Sequence, residues 1–272
     1  MSSIKRDTCP AAIFGLDLRP TQALPAISVV IPMFDESGGA RELIQEISSA
    51  LTGIAHEIVA VDDCSRDGTL VELHSARRDT PNLRILAHEA NAGQSRAVRT
   101  GVIGAKAPIV ATIDGDGQND PADIMLLYQR LIRPSAPPLL AMVAGERRER
   151  IDAASKRLAS GVANQIRKLI LNDGSADTGC GLKVFYRDAF LRLPYFDHLH
   201  RYLPALMIRE GFVVEFAPVG HRAREHGASK YNNLGRLAVA FRDILGMVWL
   251  KARARSPKSI SELEPPSDYD TI

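Results

Sequence analysis

Glu57-Ile58-Val59-Ala60-Val61-Asp62-Asp63-Cys64-Ser65-Arg66-Asp67-Gly68-Thr69 runs from an apolar stretch, through a pair of acids, into the start of a helix. Ile58 to Val61 shows no polar alternation, the mark of a strand covered on both faces. The acids at its end and the helical spacing from Gly68 to Arg77 make this a strand–loop–helix unit. The same unit recurs on both sides. Upstream, Ile27 to Ile31 is a β-rich run stopped by Pro32, and Ala40 to Leu51 repeats apolar residues at Leu43, Ile44, Ile47 and Leu51. Downstream, Leu83 to Leu86 reads as a strand, Ser95 to Ala105 as a helix and Pro108 to Ile113 as a strand. Pro121 to Leu131 reads as a helix opened by a proline at its first position. Strand–helix alternation of this kind predicts an α/β fold with a mostly parallel sheet between helices. Ligands of such sheets sit beyond the carboxyl ends of the strands.

The second half is less regular. Strands are expected at Leu139 to Ala144, Leu182 to Tyr186 and Val213 to Phe216, and helices at Lys156 to Leu171 and Leu234 to Leu250. Residues 1–26 read as a flexible leader and 256–272 as a disordered polar tail. The expected domain runs from 27 to 233, and 234–255 forms an amphipathic helix. No apolar run approaches the roughly 20 residues of a membrane span, and no secretory signal is expected at the N-terminus.

Acids gather where strands end. The sharpest instance is Thr112-Ile113-Asp114-Gly115-Asp116-Gly117-Gln118. Two carboxylates one residue apart can share a hard cation, and flanking glycines let a ligand approach the backbone. An anionic diphosphate would be repelled by these acids without a metal between them. Asp35-Glu36-Ser37 and Asp62-Asp63 end the earlier strands, although Ser37 or Asp67 would also serve as a helix cap. Basic residues collect later: Gly145-Glu146-Arg147-Arg148 after a strand, Arg157, and the stretch His221-Arg222-Ala223-Arg224-Glu225-His226-Gly227-Ala228-Ser229-Lys230-Tyr231.

Taken in order, Ile31-Pro32-Met33-Phe34-Asp35-Glu36-Ser37, Val61 to Thr69, Asn91-Ala92-Gly93 and Asp114-Gly115-Asp116-Gly117-Gln118 resemble glycosyltransferase family 2. The resemblance is greatest to its dolichol-phosphate mannose synthase branch and bacterial polyprenyl-phosphate relatives, and covers roughly residues 27–250. It implies a nucleotide-sugar-binding, Rossmann-like GT-A fold. It also implies inverting transfer of a hexose from GDP-mannose or a UDP-sugar to a polyprenyl phosphate, supplying a lipid-linked sugar for envelope glycan or lipopolysaccharide modification. By resemblance, Pro32, Asp35, Glu36, Asp63, Asn91, Gly93 and Asp114 bind the nucleotide-sugar. Asp114, Asp116 and Gln118 surround Mg2+ or Mn2+. Arg224, Gly227, Ser229 and Lys230 match an Arg-x-x-Gly-x-Ser-Lys pattern. Asp177 to Lys183 matches an Asp-x-x-Ser-Gly segment in which Cys180 replaces serine. Arg148, Arg157 and Ser229 are then the acceptor-phosphate residues, while Asp116, Arg224, Lys230 and Asp177 carry catalysis, with Asp177 expected to orient basic groups. The branch often carries a bulkier residue than Gly115 between the two acids, a difference expected to matter little.

Arginine forks suit two phosphorylated substrates that must meet, because they keep their charge when desolvated. The last helix combines Leu237, Val239, Phe241, Ile244, Leu245, Val248, Trp249 and Leu250 with Arg236, Arg242, Lys251, Arg253 and Arg255, which fits a membrane interface or, equally, a core or dimer helix. The expected location is cytoplasmic, peripheral on the inner face of the membrane, with a homo-oligomer or a separate membrane partner as further possibilities.

The alternatives are transfer to a saccharide hydroxyl and non-catalytic nucleotide-sugar binding. The Gln-x-x-Arg-Trp motif of processive enzymes is absent, and the first strand leads into Pro-Met-Phe-Asp-Glu-Ser rather than the glycine-rich loop of a sugar nucleotidyltransferase. A net charge of +2 over 272 residues gives no reason to expect nucleic acid. Three scattered cysteines without a CxxC pair predict neither a disulfide framework nor a zinc site, and fit a reducing compartment. His198 and His200 lack companion ligands for a zinc site and read as part of a loop near the acceptor or as plain structure.

Overall fold

A computed structural model describes residues 25–147, 171, 173–175, 177, 179–223 and 233–255, with side chains in the last stretch from 241 onward. Seven strands form one sheet: β1 (Ile27–Met33), β2 (His56–Asp62), β3 (Leu83–Ala87), β4 (Ile109–Thr112), β5 (Leu140–Arg147), β6 (Lys183–Tyr186) and β7 (Val213–Val219). Their order is β3-β2-β1-β4-β6-β5-β7. Every pairing is parallel except those of β6, which runs against both β4 and β5. The sheet is therefore mixed but mostly parallel, as the alternation predicts.

The helices are α1 (Ala40–Ala50), α2 (Thr69–Asp79), α3 (Gln94–Gly104), α4 (Asp123–Ile132), α5 (Arg187–Leu191), α6 (Leu203–Arg209) and α7 (Asn233–Ala252), with a 3-10 turn at Leu199–Arg201. The short α5, α6 and 3-10 turn lack the length for a periodic signal. Helix α3 packs on β1 and β2, α4 on β5 and β6, and α6 on β5 and β7. Strands β1, β2 and β4 are almost wholly buried, which explains their continuous apolar runs.

Two strands outrun their sequence signal. Strand β1 continues through Pro32 to Met33. Met33 O accepts from Asp63 N–H on the β2 side, and Val30 O accepts from Ile113 N–H on the β4 side. Alternation turns the Pro32 nitrogen toward β4, beyond the last β4 residue paired with β1, so the missing N–H costs no ladder bond. Strand β5 continues past Ala144 through Arg147, paired to β7 along its length. Arg147 therefore belongs to a strand rather than a following loop. Helix α4 starts at Asp123 rather than Pro121, because Asp120 and Pro121 first form a tight turn closed by Asp123 N–H to Asp120 O.

This topology gathers the chemistry on one sheet edge. The parallel strands β1, β2, β4, β5 and β7 deliver the residues at their carboxyl ends there. Antiparallel β6 delivers its beginning, Gly181 to Lys183, to the same edge. The opposite edge is held by buried Glu57, which accepts from Ser28 Oγ (2.6 Å), Lys106 N–H (2.5 Å) and Arg84 Nη1 (2.7 Å). Residues 1–24, 256–272 and most of the expected helix Lys156 to Leu171 lie outside the described residues. Among the described residues, no helix is long and apolar enough to cross a membrane.

Candidate active site

The loops after β1 and β2 are locked to each other. Arg66 N–H donates to Asp35 Oδ1 (2.7 Å), and Asp35 N–H donates to Ser65 Oγ (3.0 Å). Asp35 itself stands at φ 48°, a left-handed conformation that aspartate tolerates better than most residues. Glu36 N–H donates to Thr69 Oγ1 (2.8 Å). The cap of α1 comes from neither Ser37 nor a neighbour in sequence. Glu72 of α2 reaches across and accepts from Gly38 N–H (2.6 Å) and Ala40 N–H (3.2 Å), as well as Ser37 Oγ (2.9 Å). Asp67 does cap locally, taking Thr69 N–H at 2.9 Å.

Asp63 is buried, and its carboxylate faces the protein. Oδ1 accepts from Ala92 N–H (2.9 Å) and lies 2.7 Å from His88 Nδ1, and Oδ2 accepts from Gly93 N–H (2.8 Å). Asn91 Nδ2 donates to the Asp63 carbonyl at 3.1 Å. Asp63 thus fixes the Asn91–Gly93 loop. Its neighbour Asp62, also buried, keeps Oδ1 without a hydrogen-bond partner among the described residues.

Asp114 and Asp116 follow β4. Gln94, the first residue of α3, donates Nε2 to Asp114 Oδ1 at 2.9 Å. Burial, with the Asp116 charge beside it, pushes the Asp114 carboxyl up to about 6, although Lys183, Arg147 and Gln94 pull the other way. The packing behind it is tight. A methyl group added at Gly181 would lie 2.2 Å from the Asp114 carboxylate. One added at Gly115 would meet Met33 Sδ at 2.7 Å and Pro32 O at 2.9 Å. In this chain the glycine between the two acids is thus required by the backbone of β1, which closes the space a bulkier residue needs.

The opposing charge comes from β5 and β6. Arg147 forks onto Asp177, with Nε to Oδ2 at 2.5 Å and Nη2 to Oδ1 at 2.8 Å. That paired bond outweighs burial and raises the guanidinium's affinity for its proton. Asp177 therefore spends its carboxylate on orienting Arg147. Lys183 is buried and donates Nζ to Cys180 O. Burial lowers its ammonium, while Cys180, Asp114 and Asp177 support the charge. Burial raises the Cys180 thiol.

Gln118 N–H donates to Asp116 Oδ1 (3.2 Å), and its side chain turns toward the chain leaving β7, with Nε2 to Arg222 O at 3.5 Å. Arg222 ion-pairs with Glu46 (2.7 Å) and Asp120 (3.0 Å). A cleft of about 130 Å³ opens here, lined by Glu36, Glu42, Glu46, Asp116 and Arg222 among others.

Of the residues expected at the site, Pro32, Asp35, Glu36, Asp63, Asn91, Gly93, Asp114, Asp116, Gln118 and Asp177 lie on this edge. Arg148, Arg157, Arg224, Ser229 and Lys230 lie outside the described residues. Gln94, Arg147, Lys183 and Arg222 belong to the site without having been singled out. His198 pairs with Asp243 of α7 at 3.0 Å. His200 is held against Ser95 Oγ at 2.7 Å and, well below its usual range through burial, stays neutral at physiological pH.

Among the described residues, no three His, Cys, Asp or Glu side chains form a metal-holding group. Two neighbouring carboxylates, one of them disfavoured as an anion by burial and then by the other, do fit a magnesium or manganese ion that takes its remaining ligands from water and a diphosphate.

Residues 28–193 match the family Glycosyl transferase family 2. Dodecaprenyl-phosphate galacturonate synthase of Rhizobium johnstonii is 32% identical over 244 residues, covering 87% of this chain and 70% of that protein. Undecaprenyl-phosphate 4-deoxy-4-formamido-L-arabinose transferase of Pseudomonas fluorescens is 30% identical over 219 residues, covering 79% of this chain. Its namesake from Pseudomonas aeruginosa is 31% identical over 220 residues, with the same coverage. The chain spans only 63% of the length of each of these two transferases. Among solved structures, glucosyl-3-phosphoglycerate synthase from Mycobacterium tuberculosis, in complex with Mg2+ and uridine diphosphate, superposes with a TM-score of 0.64 at 17% identity. That alignment covers 84% of this chain and 79% of the other and, at such low identity, speaks to the GT-A fold alone. With acids at the ends of β1, β2 and β4 and a matching sequence across most of the sheet, the chain belongs to glycosyl transferase family 2.

Proposed function

We propose that this protein transfers a hexose or related sugar from a nucleotide-sugar to a polyprenyl phosphate at a membrane surface. The observation that carries the reading is the meeting of Asp114 and Asp116 with Arg147 and Lys183 on one sheet edge, a site charged in both senses. Relatives named for polyprenyl-phosphate products support the choice of acceptor.

In this reading an oxygen of the lipid phosphate attacks the anomeric carbon as the bond from that carbon to the diphosphate oxygen breaks, with inversion. The acceptor is ionised near neutral pH, so it needs placing more than deprotonating. Asp114 and Asp116, with Gln118 beside them, would hold Mg2+ or Mn2+, which when bound neutralises the leaving diphosphate. Gln94 holds Asp114 in place. Arg147, kept rigid by Asp177, and Lys183 supply fixed positive charge behind the acids. Asp35, Glu36 and the Asn91–Gly93 loop braced by Asp63 border the nucleoside end. Arg224 and Lys230 are proposed for the leaving diphosphate, and Arg148, Arg157 and Ser229 for the lipid phosphate.

The outer face of α7 supports the membrane assignment. Phe241, Leu245, Val248 and Trp249 are 64%, 54%, 42% and 62% exposed, and their spacing puts them on one side of the helix. Exposed Arg242, Arg253 and Arg255 accompany them. An apolar stripe with cations beside it suits the surface of an anionic bilayer.

The test is transfer itself. Purified protein is incubated with GDP-mannose or with UDP-linked hexoses and uronic acids, plus undecaprenyl phosphate in detergent. A lipid-extractable sugar phosphate that requires Mg2+ or Mn2+ is expected. Transfer only to a saccharide hydroxyl, or donor binding without turnover, contradicts the reading.

A further inference from the structure

We propose that Arg222 is a positioning residue that clamps the start of the basic C-terminal stretch onto the metal motif; this rests on the transferase reading above. Its guanidinium is forked, with Nη1 reaching Glu46 of α1 at 2.7 Å and Nη2 reaching Asp120 at 3.0 Å. Its backbone is held too. Arg222 N–H donates to Gln118 O at 2.8 Å, and Arg222 O accepts from Gln118 Nε2 at 3.5 Å. Two residues earlier, Gly220 N–H donates to Asp123 Oδ2 at 2.7 Å. Residues 220–222 are therefore tied to the loop that continues from Asp116, and across the cleft to α1.

Half-exposed ion pairs contribute little on their own, because ordering two long side chains costs most of what the attraction supplies. Here the backbone bonds to Gln118 have already fixed one partner, and one planar fork serves two carboxylates. Among the described residues lining the cleft, Arg222 is the only cation beside Glu36, Glu42, Glu46 and Asp116. The Arg224 to Lys230 stretch begins two residues further on, and two residues of chain reach at most about 7 Å. Anchoring Arg222 therefore sets where those cations enter relative to Asp116. Nothing in the Arg-x-x-Gly-x-Ser-Lys pattern marks this residue, which precedes it.

The experiment compares full-length wild type with Arg222→Ala, Arg222→Lys, Arg222→Glu, Glu46→Gln and the swap Arg222→Glu with Glu46→Arg. Hydrogen exchange at the 220 and 222 amides reads the clamp without any substrate. Calorimetric binding of UDP with Mn2+ reads the donor site, and steady-state transfer reads positioning. Faster exchange is expected in Arg222→Ala, with Mn2+–UDP affinity within about threefold of wild type. Its kcat should be about tenfold lower at little-changed donor KM, the pattern of a lost positioning contact. Arg222→Lys should fall between. The swap should recover exchange protection and most of kcat, which Arg222→Glu alone does not. Unaltered exchange in Arg222→Ala, or a swap no better than Arg222→Glu, overturns the proposal. Should Arg222→Ala not fold, Glu46→Gln and the swap decide by the same criteria. Absence of transfer by wild type with any donor would count against the function proposed above, and the exchange data would still decide on the clamp.

Discussion

Asp114→Asn should make the metal-free protein more stable at neutral pH. The Asp114 carboxyl is pushed from 3.8 up to about 6, first by burial and then by Asp116. For an acid whose folded value is raised, ionisation is harder in the folded chain than in the unfolded one. The stability of the protonated form is thus complete below the unfolded value and is lost as pH rises through the folded one. A shift of about two units corresponds to about 3 kcal/mol, a ceiling because the Asp114 side chain is only partly shielded from solvent. A range of about 1–3 kcal/mol translates into a melting-temperature gain of roughly 3–10 °C for a chain of this size. Asparagine removes the charge and leaves Oδ1 to accept from Gln94. Thermal melts in EDTA would follow both proteins from about pH 3 to pH 8. The two curves should nearly coincide at the acid end, below the unfolded value of 3.8, separate as pH rises to the folded value of about 6, and run parallel above about pH 7. Adding Mn2+ and UDP at pH 7.5 should raise the wild type and leave the variant unmoved. Equal gaps at both ends of the pH range, or a less stable variant at pH 8, would refute the reasoning.

Other substitutions probe separate parts of the account. Gly181→Ala sets a methyl group 2.2 Å from the Asp114 carboxylate, and should cost about 1–3 kcal/mol in denaturant melts together with most Mn2+-dependent activity. Glu57→Gln, at the far edge, should cost about 2–4 kcal/mol near pH 7. Burial alone would raise Glu57, but Ser28, Lys106 N–H and Arg84 hold it below its usual range. The stability it contributes is therefore present above the unfolded value and lost as pH falls through the folded one, so the melt difference from Glu57→Gln should shrink in acid. Trp249→Glu, on a side chain 62% exposed, should leave the melting temperature within about 2 °C, since surface changes stay within about 0.5 kcal/mol. The same variant should lose most co-flotation with anionic vesicles; unchanged flotation would count against the membrane face of α7.

The acids at the strand ends were legible because a parallel sheet sends its strand ends to one edge. Asp35, Asp63, Asp114 and Asp116 could therefore be grouped from local pattern alone. What each acid does was not legible. Asp63 was expected to face the nucleoside, yet its carboxylate braces the Asn91–Gly93 loop, a bond that depends on how two loops fold against each other. Arg147 is hidden because the apolar pattern stops at Ala144, whereas pairing with β7 carries the strand on through Arg147. Lys183 ends the Asp177 to Lys183 segment, but only the antiparallel insertion of β6 beside β4 brings it behind Asp114. The Arg222–Glu46 pair joins residues 176 positions apart, and no short-range pattern encodes such a contact. Arg224 and Lys230 for the leaving diphosphate, and Arg148, Arg157 and Ser229 for the lipid phosphate, rest on resemblance alone.

The most direct test is Mn2+ binding followed by electron paramagnetic resonance, in the presence of UDP, for wild type and Asp116→Ala. One UDP-dependent Mn2+ site is expected in wild type and none in the variant, with the far-ultraviolet circular dichroism of the two alike. An equally tight Mn2+ site in folded Asp116→Ala would mean that the strand-end acids do not hold the metal.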